Sequence, residues 1–139
     1  MKVYTHYLEE GACFRWRTLL QFGNSWDIIG SVVMKNPGTA APKCQVTDKN
    51  TLKLLSFFDN TMYDWFEFSP DSTMNCVGDL FAYFYDKSNK NDLQGVVQIF
   101  NLFYLREGDL GKALELHKKN KFPFASEEEI IQNDISQLK

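Results

Sequence analysis

Two apolar runs constrain the fold of this chain more than any other feature. The first, WDIIGSVVM, extends from Trp26 to Met34, and the second places VVQIFNLFYL within Leu93 to Leu105. Runs this continuous suit strands buried on both faces, the usual state of a parallel sheet between helices. The first run stops at Lys35 and passes into Asn36-Pro37-Gly38-Thr39. Pro37 fixes φ and removes a backbone donor, so the strand ladder ends there. Gly38 admits another group close to the backbone.

The rest of the chain supplies what such strands need. CFRWRTLLQF, Cys13 to Phe22, alternates: Phe14, Trp16, Thr18 and Leu20 are predicted on one face, with Arg15, Arg17 and Gln21 on the other. Gly23-Asn24 is a turn signal, so this strand and the Trp26 run are expected to form an N-terminal hairpin. A helix is expected over Thr47 to Phe58, capped by Thr47 or Asp48, with Leu52, Leu55 and Phe58 at helical spacing. DWFEF, Asp64 to Phe68, reads as a short strand. Ser69-Pro70-Asp71 opens a helix whose apolar stripe is Met74, Val77, Phe81 and Phe84 or Tyr85. Asp109 caps a helix from Leu110 to about Lys119, and Ser126-Glu127-Glu128-Glu129 opens another through Leu138. The expected fold is a single α/β domain over residues 1–139, three-layered, with a mainly parallel central sheet. A helix so close to Lys139, with no strand after it, leaves two readings: a minimal version of the fold, or the amino-terminal portion of a longer domain.

Composition narrows the function classes. The formal net charge is −3 and there is no Lys/Arg run, which argues against strong nonspecific binding to nucleic acid. Aromatic residues make up 15% of the chain, and a ring-rich core accounts for them more simply than a base-stacking surface does. Cys13, Cys44 and Cys76 are odd in number and widely spaced, as free thiols in a reducing cytoplasm would be. His6 and His117 are isolated in sequence, so no metal ligand set is expected, and no cofactor motif is evident. No signal peptide opens the chain, and no apolar run approaches the roughly 20 residues of a membrane-spanning helix.

Ligands of open α/β sheets bind beyond the carboxyl ends of the strands. Asn36 stands at one such end, and Gly38 and Thr39 follow it. Asn101 interrupts the second run and Arg106 closes it, while Asp71 and Thr73 begin a helix. With the two runs as parallel neighbours, these residues converge on one polar rim. A buried amide such as Asn101 costs about 1–3 kcal/mol unless it is hydrogen-bonded. Either a ligand or a network that merely fastens the loops meets that requirement, and a tight turn with Asn36 bonded to its own backbone is the structural counterpart at the first strand.

Several of these segments, in order, resemble the bacterial family known as domain of unknown function 1643. They are Arg15-Trp16-Arg17, Trp26, Asn36-Pro37-Gly38-Thr39-Ala40-Ala41, Asp71-Ser72-Thr73, Phe100-Asn101-Leu102-Phe103-Tyr104-Leu105-Arg106 and Asn133-Asp134. Gly38 stands where the family has serine and Ala41 where it has aspartate, and the family's later His-Pro segment has no counterpart. More distantly, Asn36-Pro37-Gly38 is similar to the strand end of the mismatch-specific uracil-DNA glycosylases, where the asparagine positions the attacking water. That likeness implies a uracil-DNA glycosylase-like fold, a catalytic Asn36 and an Asn101 that reads a base edge. The glycosylases also need a late histidine loop and a duplex wedge, which this chain does not show. The expected function is binding of a nucleotide or nucleobase-like ligand through Asn36, Gly38, Thr39, Asp71, Thr73, Asn101 and Arg106, with glycosylase-like hydrolysis as its catalytic form. A noncatalytic binding or assembly module of bacterial or phage origin is the alternative.

Overall fold

The computed structural model describes residues 1–9, 13–35, 37–59, 63–102 and 104–105. The helices expected after Asp109 and Ser126 therefore lie outside the described residues, as do Asn36, Arg106 and the Asn133-Asp134 pair. In chain order the elements are β1 (Lys2–Glu9), β2 (Cys13–Phe22), β3 (Ile28–Met34), β4 (Pro42–Gln45), α1 (Lys49–Leu55), β5 (Trp65–Phe68), α2 (Ser72–Phe84), a single 3-10 turn (Lys90–Asp92) and β6 (Gly95–Asn101).

Among the described residues the strands form one mixed sheet in the order β3-β6-β2-β1-β5-β4. Only β3 and β6 run parallel; the other neighbours are antiparallel. This overturns the expected mainly parallel, three-layer, glycosylase-like α/β architecture: among the described residues strands predominate and two helices accompany them. The two apolar runs do pair in parallel, from Ile28 opposite Val96 to Met34 opposite Asn101. Yet β6 is apolar because it lies between two neighbours, one of them antiparallel. A continuous apolar run reports burial and does not report strand direction.

The expected hairpin between β2 and β3 does not form, because β6 lies between those strands. The hairpin partner of β2 is β1, with Lys2 opposite Gln21 and Glu9 opposite Cys13. Nor is β3 buried on both faces. Among the described residues it is an edge strand, with Ile28 and Val33 more than half exposed.

Neighbouring residues of β1 separate the two faces of the sheet. Val3 packs in a cluster with Leu20, Phe22, Phe68, Val97, Ile99 and the Met74, Val77 and Ala82 side chains of α2. Tyr4 packs on the opposite face with Leu19, Val96, Trp65 and the Leu55 and Leu52 side chains of α1. The buried stripe of α2 ends at Ala82, while Phe84 and Tyr85, expected in the core, are exposed. Tyr85 instead donates its hydroxyl to the Ile29 carbonyl at 2.6 Å. The cap of α2 is Asp71 rather than Ser69, because the helix begins at Ser72; Ser69 instead donates its backbone N–H to the Ala41 carbonyl at 2.9 Å.

β2 contains the irregularity that matters most for the site. Tyr4 faces Leu19 but His6 faces Trp16, so the register slips by one residue. Arg17 is the extra residue, and its φ is 52°. A β-bulge of this kind reverses which residues face which side. Phe14 and Trp16 therefore do not share a face with Thr18 and Leu20 as simple alternation predicts. Arg15 and Gln21, expected on the polar side, are both buried.

Candidate functional site

Part of the expected rim is assembled on the α2 face. Asp71 Oδ1 accepts the Met74 backbone N–H at 2.8 Å, which caps α2. Its other oxygen, Oδ2, lies so near Gly38 that a Cβ there would stand 2.8 Å from it. Ala40 joins the same cluster as Phe68 and Met74, which seats the 37–41 loop against the start of the helix. The glycine of Asn-Pro-Gly-Thr is thus explained by close approach: it leaves room for the capping carboxylate. Asn101 is buried at the end of β6, opposite Met34. By strand alternation it shares the α2 side with Ile99. Thr39 and Thr73 are exposed. Gly38 and Asp71 are in contact, Asn101 is on their side of the sheet, and Asn36 and Arg106 are outside the described residues.

Gly38→Ala is expected to cost about 1 kcal/mol, because the carboxylate must give way. Combined with Asp71→Ser, a shorter cap, the alanine is expected to cost less than it does alone. Urea unfolding of the two single variants and the double variant measures this, and simple additivity would place Asp71 elsewhere.

The α1 face carries a concave site that sequence reading missed. A cleft of about 480 Å³ is lined by Arg17, Trp26, Asp27, Ile28, Leu54, Phe57, Phe58 and Gln98. That volume falls in the range of small-ligand sites. One wall is the turn after α1, which continues the helix through Phe57 N–H to Leu54 O, Phe58 N–H to Leu55 O and Asp59 N–H to Leu55 O. Leu55, fully buried, anchors that turn, while Phe57 is 79% exposed. Trp26 adjoins that turn: it stacks on Tyr4 at 5.6 Å and meets the Phe58 ring at 6.2 Å. Burial raises the Tyr4 phenol above its ordinary range, with Glu67 adding to the effect, so the ring behind Trp26 is neutral.

The polar groups of the cleft are few and placed. The Arg17 guanidinium lies over the Phe100 ring at 5.3 Å, with Nε 3.6 Å from Asp59 Oδ2. Gln98 Oε1 accepts from Ser31 Oγ at 3.1 Å, which leaves the amide nitrogen to donate. Asp27, an exposed residue of the lining, is an acceptor. The site therefore combines aromatic walls, a fixed cation, an amide donor and a carboxylate. It draws on β2, β3, β6 and α1, and only the crowding of Leu54, Phe57 and Phe58 beyond one helical stripe hints at it in sequence.

Among the described residues no group of three or more His, Cys, Asp or Glu side chains is arranged to hold a metal ion. No helix among them is long and apolar enough to cross a membrane. Comparison with protein-family models, with curated proteins and with solved structures gives no match for the chain.

Proposed function

We propose that this protein is a noncatalytic binding module that seats a planar, nucleobase-like group in the cleft on the α1 face. The observation that carries this reading is the backbone of Arg17. A bulge residue with positive φ is ordinarily glycine, and an L side chain there costs about 1–2 kcal/mol. Retaining arginine in the middle of β2 at that cost points to a task for its side chain, and the side chain lines the cleft. Strained non-glycine residues cluster at ligand sites for this reason.

The chemistry suits a flat heteroaromatic ligand. Trp26 and Phe57 offer ring faces, Arg17 adds a stacking cation, and Gln98 and Asp27 supply a donor and an acceptor for a base edge. With a net charge of −3, a small ligand fits better than a polynucleotide. The free thiols Cys13, Cys44 and Cys76 go with a cytoplasmic setting.

The test is calorimetric titration of the protein with AMP, GMP, CMP and UMP, followed by Arg17→Gly. Glycine relieves the backbone and removes the guanidinium. The expected result is at least a tenfold loss of affinity for the nucleotide that binds, with stability changed by less than about 1 kcal/mol. No binding of any of the four by the native protein would overturn the reading. So would an Arg17→Gly variant that binds normally.

A further inference from the structure

The two edges of the sheet are built differently. β4, at one edge, has four residues and carries Pro42 and Lys43, which resist the addition of a further strand. β3, at the other edge among the described residues, reads Ile-Ile-Gly-Ser-Val-Val-Met, with neither proline nor charge. An uncharged apolar edge of this kind is a template for another strand. Met34 accepts the Leu102 backbone N–H at 3.0 Å, which shows that Met34, and by alternation Val32 and Gly30, bond to β6. Ser31 and Val33 therefore turn their N–H and C=O groups to the outer side. Within the irregularity of β3 at Ile28–Gly30, the Ile29 carbonyl accepts the Tyr85 hydroxyl at 2.6 Å and keeps a second lone pair.

Apolar surface flanks this edge. Phe81 lies so close to Gly30 that a Cβ there would meet its ring, and Phe84 meets Phe81 edge-on at 6.2 Å. Tyr83, Phe84 and Tyr85 are 75%, 65% and 47% exposed. At roughly 200 Å² per ring they leave about 400 Å² open to water. Ile28 and Val33 add to it, and a specific dimer needs about 500 Å² from each copy. We propose that β3 pairs antiparallel with β3 of a second copy of this chain, about a two-fold axis at Ser31. Charge selects that occupant and that direction. Asp27 stands four residues before Ser31 and Lys35 four residues after it, and both are exposed. Antiparallel pairing brings Asp27 of each copy to Lys35 of the partner subunit, whereas parallel pairing in register sets like charges side by side. It also sets Ser31 opposite Ser31 and Ile29 opposite Val33, residues that turn backbone groups outward. One self-complementary patch thus serves both copies and closes the assembly at two.

This pairing does not depend on a ligand in the cleft. Sedimentation equilibrium of the full chain at low salt tests it. The native protein is expected to be a dimer at about 50 µM. Asp27→Lys alone, or Lys35→Asp alone, sets like charges opposite each other at both ends and is expected to weaken the dimer at least tenfold. The double variant Asp27→Lys/Lys35→Asp exchanges the two charges and is expected to regain the native affinity. Circular dichroism checks that each variant is folded. Hydrogen exchange of the native chain needs no variant: over residues 28–34 it should slow at least tenfold between about 1 and 100 µM. A native chain that stays monomeric to about 1 mM overturns the pairing, whether its β3 amides exchange freely or are protected by the rest of the chain. A dimer that ignores the single reversals, or that the double variant does not restore, uses another surface and overturns it as well. So does an assembly that grows beyond two copies.

Discussion

Gly95→Ala is expected to lower the unfolding free energy by roughly 3 kcal/mol and the melting midpoint by roughly 10 °C. Two costs meet at this residue. Its φ is 131°, a region that side chains other than hydrogen rarely enter. A Cβ there would also stand 2.5 Å from Ile29 Cγ2 and 2.8 Å from the Asp27 carbonyl oxygen. The isoleucine can turn. The carbonyl cannot retreat freely, because it accepts the Val96 backbone N–H at 2.7 Å and so starts the β3–β6 ladder. Gly38→Ala is milder, because there the obstacle is a side-chain oxygen and φ is not positive. Urea and thermal unfolding of both variants give the comparison. A Gly95→Ala cost below that of Gly38→Ala would show that the register of β3 against β6 can slip.

The same contact links fold to site. Asp27 and Ile28 line the cleft, and Gly95 sets how closely β6 approaches them. Gly95→Ala is therefore expected to disturb ligand binding as well as stability. Arg17→Gly separates the two, since it removes a cleft group while relaxing the backbone.

Local signals and the parallel pairing of the two apolar runs were legible in the sequence, and the order of the other strands was not. Asp48 caps α1 through the Thr51 backbone N–H at 2.9 Å, as the Thr47-Asp48 start predicts. The apolar spacing that starts at Met74 and Val77 fixes α2, though its phase ends on Ala82 rather than on the larger Phe84. The two apolar runs find each other in parallel register. What sequence could not disclose is that β6 threads between β2 and β3, since the Gly23-Asn24 turn looks the same whether its flanking strands pair or part. The bulge at Arg17 was equally hidden: an arginine does not announce a positive φ, and one slipped residue moves Arg15 into the core. The approach of Gly38 to Asp71 was readable because strand and helix ends carry their own markers. The cleft was not, because its residues from β2, β3, α1 and β6 come together only once the sheet order is known.

The buried Arg15 makes the second large effect predictable. Its guanidinium carbon lies 5.6 Å from the centroid of the Phe68 ring, and that ring also meets Tyr7 edge-on at 5.3 Å. Phe68 is 1% exposed and pairs with Val3 on one side and Pro42 on the other, so it joins β5 to both neighbours. Phe68→Ala leaves a ring-sized cavity and is expected to cost about 4 kcal/mol. Part of that cost is lost apolar burial, and part is the loss of the ring face from a cation held out of water. Phe68→Leu refills much of the volume without the π face, and Arg15→Met keeps the side-chain length without the charge. A double-mutant cycle with these two substitutions isolates the interaction and is expected to give a coupling of about 1 kcal/mol. Urea unfolding of the native protein, both single variants and the double variant measures it. Zero coupling would mean that Phe68 acts through packing alone and that Arg15 is held in the core by its other contacts.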